Sequence, residues 1–276
     1  MSIPIQPPRT YLFVPGSRPE RFAKALAAGA DAVVLDLEDA VAIGDKETAR
    51  ASVCEWIGSA TTAQCARTVV RINDIHSNWF SADLRALAAV GQTLVMLPKA
   101  ESPQHIAELL AKLPGAQVLA LIETARGVAE VDPIAASLGV SRLVFGTLDF
   151  ALDLALETER DAVGLVYAAS RIAIASRLAG LAAPVAGVTP QIDDESRLLA
   201  DWAAARCHGF GAKLCIHPKQ VAPVHQALLP SAEALDWAKR VLAAEAASPG
   251  AAQLDGRMVD KPVVLQAQRI LSLGAR

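Results

Sequence analysis

Apolar residues fall into short unbroken runs separated by longer stretches in which they recur every three or four positions. The short runs are TYLFV (10–14), AVVLDL (32–37), TVVRI (68–72), TLVML (93–97), VLALI (118–122), RLVFG (142–146), APVAG (183–187) and KLCI (213–216). Each is apolar almost throughout, the pattern of parallel strands buried on both faces. The intervening stretches predict helices near 18–28, 46–58, 79–90, 103–112, 126–137, 161–179, 194–206 and 218–228. Two helix starts are signposted. Ser17-Arg18-Pro19-Glu20 reads as a capping box with proline in the first turn, and Ser102-Pro103 as a cap followed by proline.

Eight strands, each followed by a helix, predict an α/β fold of the TIM (β/α)8 barrel type rather than a doubly wound sheet, with the barrel over residues 1–229. Residues 230–276 read as a C-terminal helical extension. Its helices, 231–246 and 261–273, are joined by the Pro/Gly/Asp-rich linker SPGAAQLDGRMVD. There is no internal repeat.

Composition narrows the function classes. The 276 residues carry a formal net charge of −3 and no basic stripe, which argues against nucleic acid as a partner. The most apolar region, VGLVYAASRIAIASRLAGLAAPVAGV, is interrupted by Arg171, Arg177 and Pro184 and does not read as a membrane span. The N-terminal MSIPIQPPRT has no hydrophobic signal core. Cys54, Cys65, Cys207 and Cys215 form neither a C-x-x-C pair nor a zinc spacing, and lone cysteines of this kind pack as small hydrophobes in a reducing compartment. A cytoplasmic location is expected.

In such a barrel, chemistry belongs at the C-terminal ends of the strands. Those ends carry Pro15-Gly16, Glu38-Asp39, Arg71 with Asn73, Lys99, Glu123, Asp149, Thr189 and His217. The segment DAVVLDLEDA (31–40) alone places Asp36, Glu38 and Asp39 within four residues. Carboxylates gathered without enough cations coexist by sharing a proton or by binding a hard divalent ion through oxygen. Two carboxylates plus water and substrate suit Mg2+, with Glu38 in a position to hold a metal-bound water and Arg71 to supply a fixed positive fork for a carboxylate or oxyanion. Plainer roles compete. A single strand-end acid is more often a helix cap than a ligand, and Asp39 reads both ways. Arg71 and Lys99 read equally as salt-bridge partners, and His217 as a residue that fixes its loop. GFGAK (209–213) lacks the Walker pattern, so its glycines read as a tight turn into the eighth strand. Arg18, Arg21 and Lys24 form a basic surface beside the mouth, either a cradle for a phosphate-bearing tail or a solvated face.

The segments RTYLFVPGSRPERFAKALAAGADAVVLDLEDAV, VVRIN, MLPKAES, LIETARG, VFGTLDF, GFGAKLCIHPKQ and DGRMVDKPVVLQAQRIL together resemble the citrate lyase β-subunit-like branch of the HpcH/HpaI aldolase superfamily, in order and over nearly the whole chain. The resemblance implies a TIM barrel, Mg2+ held directly by Glu123 and Asp149, and Arg71 contacting substrate and thioester oxygens. It further implies that Glu38 and Asp39 organise metal-bound water, and that the segment of Pro15, Gly16, Arg18, Arg21 and Lys24 meets coenzyme A. Asp260, in GRMVDKP, matches an aspartate that relatives contribute to a neighbouring subunit's site, which implies a homo-oligomer, a trimer in the simplest form, with the C-terminal segment packed on a neighbour. One loop departs from the family pattern: AGVTPQIDDES stands where many relatives carry an aspartate-glycine-valine-tyrosine run. That departure bears on substrate identity more than on reaction class.

The activity expected is a Mg2+-dependent carbon–carbon lyase on a 3-hydroxy-3-carboxyacyl-CoA thioester, citramalyl-CoA first. Competing expectations are malyl-CoA lysis or hydrolysis, action on an acyl carrier protein thioester as a citryl lyase β subunit, and aldol chemistry on free hydroxy-keto acids. A degenerate barrel that only binds acyl-CoA is the non-enzymatic alternative.

Overall fold

The computed structural model describes residues 7–157, 163–248, 250 and 252–274. Eight parallel strands close into a barrel in sequence order: β1 Thr10–Pro15, β2 Ala32–Asp36, β3 Thr68–Arg71, β4 Leu94–Leu97, β5 Gln117–Ile122, β6 Val140–Phe145, β7 Val185–Ala186 and β8 Ala212–Cys215. All eight runs of the sequence therefore become barrel strands. The weakest is β7, with two residues. Pro184 has no N–H to give a ladder and Gly187 follows, so pairing stops on both sides.

Side chains alternate across each strand, and this parity decides what reaches the barrel interior. Tyr11, Ala32, Val34, Val69, Met96, Leu119, Leu121, Val144, Val185, Ala212 and Leu214 form one buried cluster inside. Two residues further along the same face of three strands come Asp36, after Val34; Arg71, after Val69; and Glu123, after Leu121. Register completes the alignment, because Pro15 pairs with Asp36, Asp36 with Arg71, and Arg71 with Met96.

The helices around the barrel are α1 Phe22–Ala27, α2 Lys46–Ser59, α3 Thr62–Cys65, α4 Phe80–Ala89, α5 Pro103–Lys112, α6 Ala125–Ala129, α7 Val131–Ala135, α8 Thr147–Asp153, α9 Val163–Leu178, α10 Glu195–Cys207 and α11 Val221–Gln226. Three differences from expectation have local causes. The predicted helix 126–137 is two short helices, since Pro133 cannot donate back to residue 129 and is tolerated only near a helix start. Between β6 and α9 lies the unpredicted α8. The capping box at 17–20 does not form: a 3-10 turn begins at Pro19 without a side-chain cap, and Glu20 instead lies 4.0 Å from Arg18 and 3.7 Å from Arg21. Ser102 does cap α5, accepting the His105 N–H. No described helix is long and apolar enough to cross a membrane.

The chain divides into compact units Met1–Ala222 and Pro223–Arg276; the boundary expected at 229/230 falls instead inside α11. In the second unit, α12 Ala232–Ala247 packs on α13 Lys261–Gly274 over Ala238, Val241, Ala252, Val259 and Ala267. The linker between them holds a hairpin, β9 Gln253–Leu254 with β10 Arg257–Met258. Asp255 and Gly256, at φ 50° and 74°, make its two-residue turn, the Asp-Gly signature of a type I′ hairpin.

Candidate active site

The mouth is built around Arg71, buried to 8% exposure. Its Nε and Nη2 donate to the two oxygens of Asp36, each at 2.7 Å, a bidentate fork that strand register made possible. Nη1 lies 2.7 Å from Glu38 Oε2 and 3.4 Å from Asp39 Oδ2, and the guanidinium stacks 5.0 Å from the Phe13 ring centre. Burial opposes the charge on Arg71, but the pull of Asp36, Glu38 and Asp39 outweighs it and the guanidinium stays ionised.

Asp36, Glu38 and Asp39 of DAVVLDLEDA thus divide the work. Asp36, 1% exposed, also accepts the N–H groups of Glu38 and Ala40, so one carboxylate clamps Arg71 and folds its own loop. Glu38 is the buried acid facing the mouth. Its Oε2 is close to Arg71 without the alignment of a hydrogen bond, and burial pushes its pKa up to about 7, with Asp39 and Asp36 adding to the rise against the pull of Arg71. Asp39 is mostly exposed and touches Arg71 at the longest distance of the three.

Glu123 is 2% exposed at the end of β5. Its Oε1 accepts the backbone N–H of Lys99 at 2.8 Å. Lys99 reaches that geometry with φ 46°, a left-handed conformation that costs a non-glycine residue energy and recurs at functional sites. Oε2 makes no hydrogen bond among the described residues and packs against Gly146, where a Cβ would stand 2.6 Å from it. Burial, then the charge of Glu38, pushes the Glu123 pKa up to about 8, and Asp149 raises it further. Asp149 sits in the first turn of α8, half-buried, rather than on a strand end.

A network outside the predicted site holds the Glu38 loop. Lys46, 6% exposed at the start of α2, donates to the carbonyls of Leu37 (2.8 Å) and Glu38 (2.7 Å) and to Asn73 Oδ1 (2.7 Å). Asn73 in turn donates to Asp83 through its backbone and side chain, and Asp83 accepts Arg50 Nε at 2.7 Å. The sequence shows Lys46, Arg50 and Asp83 only as isolated charges on helices, and 27 positions separate Lys46 from Asn73 and 33 separate Arg50 from Asp83. For Asp36, by contrast, the sequence carries a usable signal, its even spacing from Ala32 and Val34 along β2.

Other candidates fall elsewhere. Pro15 and Gly16 form the turn after β1: Gly16 N donates to Asp36 O at 2.7 Å, and a Cβ on Gly16 would collide with that oxygen. Arg18, Arg21 and Lys24 are all exposed, with Glu20 between the two arginines. Thr189 turns away, donating to Asp201 on α10, and His217 caps a 3-10 turn by accepting the Lys219 N–H. Lys99 Nζ lies 3.9 Å from Asp74, the ion-pair role open to it from sequence. Asp260 belongs to the second unit, where it is exposed and its Oδ1 accepts the Val263 N–H at the start of α13.

Among the described residues, no group of three or more His, Cys, Asp or Glu side chains forms a ready-made metal cage. The donor set instead consists of hard carboxylate oxygens, with unbonded oxygens on Glu38 and Glu123, whose pKa values are raised first by burial and then by neighbouring acids. Mg2+ commonly takes one or two carboxylates and completes its shell with water and ligand oxygens, so these residues fit it.

Fold and site define a (β/α)8-barrel enzyme with an acidic, oxygen-donor mouth. The chain belongs to the HpcH/HpaI aldolase/citrate lyase family, whose model matches residues 9–218. It is 40% identical over 266 residues to a citrate lyase subunit beta-like protein of Mycobacterium tuberculosis, covering 95% of this chain and 93% of that one. A (3S)-malyl-CoA thioesterase of Cereibacter sphaeroides is 32% identical over 270 residues, covering 96% and 94%. Among solved structures, M. tuberculosis CitE in complex with magnesium, acetoacetate and coenzyme A superposes with a TM-score of 0.87 at 38% identity, over 97% of this chain and 98% of that one.

Proposed function

We propose that this protein is a Mg2+-dependent lyase that cleaves a 3-hydroxy-3-carboxyacyl-CoA thioester, citramalyl-CoA by preference, to acetyl-CoA and pyruvate. The observation that carries the reading is Glu123: one carboxylate oxygen fixed by a strained backbone N–H, the other unbonded, in a cluster with more acids than cations. Glu123 and Asp149 hold the ion, and Glu38 and Asp39 orient its water. Bound there, Mg2+ supplies Lewis-acid polarisation of the substrate carboxylate and adjacent hydroxyl.

The protein's own groups do the remaining work. The hydroxyl gives its proton to solvent water, and its oxygen forms the keto group of pyruvate as the neighbouring carbon–carbon bond breaks. The bond to the thioester side breaks, and its electron pair passes to the thioester oxygen as an enolate. Arg71 stabilises that oxygen through Nη1, the edge of its fork not taken by Asp36, where the substrate oxygen displaces the unaligned contact of Glu38 and the long one of Asp39. Asp260 of a neighbouring subunit delivers the proton that turns the enolate into the methyl group of acetyl-CoA. The assembly is then a homo-oligomer, a trimer in its simplest form, working in the cytoplasm. Arg18, Arg21 and Lys24 receive the coenzyme A phosphates.

The relative named as a malyl-CoA thioesterase favours a second outcome, hydrolysis on much the same residues. Relatives named as citrate lyase subunit beta leave an acyl carrier protein thioester as a third. A mass-spectrometric time course with citramalyl-CoA, malyl-CoA and citryl-CoA, in Mg2+ and in EDTA, separates them. Mg2+-dependent loss of citramalyl-CoA with matching acetyl-CoA and pyruvate is expected. Free CoA with an intact hydroxy acid means a thioesterase, and no change in any thioester overturns the reading.

A further inference from the structure

The outward faces of β6, β7 and β8 border a cavity whose lining includes none of Glu38, Arg71, Glu123 and Asp149. Phe145, Ala186 and Lys213 alternate with the inward Val144, Val185, Ala212 and Leu214, so their side chains point away from the barrel interior. Between them and helices α9 and α10 lies a cavity of about 360 Å3, within the range of small-molecule sites, about 300–1,000 Å3. Phe145, Ala169, Ala186 and Phe210 give it buried apolar walls, and the partly exposed Leu148 and Val166 lie at its edge.

Lys213 is the anomaly in that lining. It is 2% exposed, and its ammonium donates to one acceptor, the Gly187 carbonyl at 2.8 Å. Asp201 is the nearest acid acting on it, but both Asp201 oxygens are occupied. Oδ1 takes Arg197 Nε and Oδ2 the Thr189 hydroxyl, each at 2.8 Å. No carboxylate stands within ion-pair distance of Lys213 among the described residues. Burial lowers its pKa to about 8, so it remains mostly charged at neutral pH. A buried cation held by a single carbonyl is a costly arrangement unless an anion completes it.

We propose that this cavity binds a small monocarboxylate with an apolar tail, its carboxylate paired with Lys213 and its tail against Phe145, Ala169 and Phe210. A polyanion such as phosphate does not suit the site, because Arg197 is committed to Asp201 and the walls are apolar. A neutral apolar ligand leaves the Lys213 charge uncompensated.

The test is calorimetric titration of the full-length protein with hexanoate in EDTA, so that no divalent ion at the mouth attracts the carboxylate. The expected result is one saturable site per chain, with 1-hexanol of the same length at least tenfold weaker. Ala169→Leu, which fills the cavity and keeps Lys213, should abolish binding, and Lys213→Met should weaken it at least tenfold. Absence of a saturable site, equal binding of 1-hexanol, or wild-type binding by folded Ala169→Leu protein would each overturn the proposal. The comparison of hexanoate with 1-hexanol uses wild-type protein alone and remains decisive if a variant fails to fold. Because the cavity lining includes no residue proposed to hold the ion or the enolate, its failure leaves the proposed lyase activity untouched, and the reverse holds as well.

Discussion

Two buried cations sit on opposite sides of the barrel wall, and their surroundings run in opposite directions. Arg71 at the mouth meets three carboxylates, with Glu123 close behind. Lys213 on the outer face of β8 meets a single carbonyl. Burial, with neighbouring acids adding to it, raises the carboxyl pKa values at the mouth, and the excess of acid there suits a divalent cation. Burial lowers the ammonium pKa of Lys213, and the lack of a paired acid there suits an anion. What a buried charge lacks is therefore a better guide to a ligand than the charge itself. Lys46 is the control: equally buried, it has three acceptors within 2.8 Å, and its role is to hold a loop.

Removing an acid that the mouth reserves for metal should have the largest effect. Asp149→Ala is expected to abolish Mg2+-dependent turnover while leaving the circular dichroism spectrum unchanged. Near-wild-type turnover in that variant would sink the metal assignment. Removing the acid that Arg71 already uses should act on stability instead. Asp36→Asn takes away half of a buried bidentate pair and should cost about 3–5 kcal/mol. Urea unfolding followed by fluorescence measures this, and a loss below 1 kcal/mol would mean that Glu38 compensates.

The difference between these residues also shows how far the sequence could be read. Unbroken apolar runs betrayed all eight strands, because strands buried on both faces leave little room for polar residues. The strand-end rule brought Glu38, Arg71 and Glu123 to one mouth, and parity along AVVLDL carried Asp36 inward with Ala32 and Val34. What remained hidden was long-range or too short to show a period. The Lys46–Asn73–Asp83–Arg50 chain joins α2, the loop after β3 and α4, and α8 spans only seven residues. The split at Pro133 was legible in principle, since a proline inside a helical pattern is a breaker.

Lys46→Met probes that hidden network. It removes two hydrogen bonds to the Glu38 loop and one to Asn73, and touches no proposed ligand of the ion. Residues that support a metal site from outside typically change activity 10–100-fold, and a fall of about that size in kcat is expected. The Mg2+ concentration for half-maximal activity should change far less. A change confined to Mg2+ affinity would instead make the loop part of the metal site.

The crowded acids give a smaller, pH-dependent effect of fixed sign. In the metal-free protein the carboxyls of Glu38 and Glu123 have pKa values raised to about 7 and about 8, above the 4.5 of an unperturbed glutamate. Between pH 4.5 and 8 the unfolded chain therefore binds fewer protons than the folded one, and metal-free stability falls as pH rises through that window. Mg2+ relieves the repulsion most where both groups are ionised. The gain in Tm on adding Mg2+ should be larger at pH 8.5 than at pH 6, by about 2–4 °C per kcal/mol of relief. An equal gain at both pH values would mean that the acids are not sharing protons in the metal-free state.

Asp39→Asn should have the smallest effect on the fold, and it isolates what the second aspartate of the loop is for. Asp36 and Asp39 contact the same guanidinium, but Asp36 is buried and bidentate while the Asp39 side chain is 65% exposed and 3.4 Å away. Exposed pairs of this kind contribute about 0–1 kcal/mol, so the urea midpoint of Asp39→Asn should stay close to wild type. Turnover is the informative readout. If Asp39 only screens Arg71, its loss leaves Glu38 as the remaining acid on Nη1 and activity is unchanged or slightly higher. If it orients the water of a bound ion, kcat falls while stability does not, and the two aspartates divide cleanly between holding the site together and working in it.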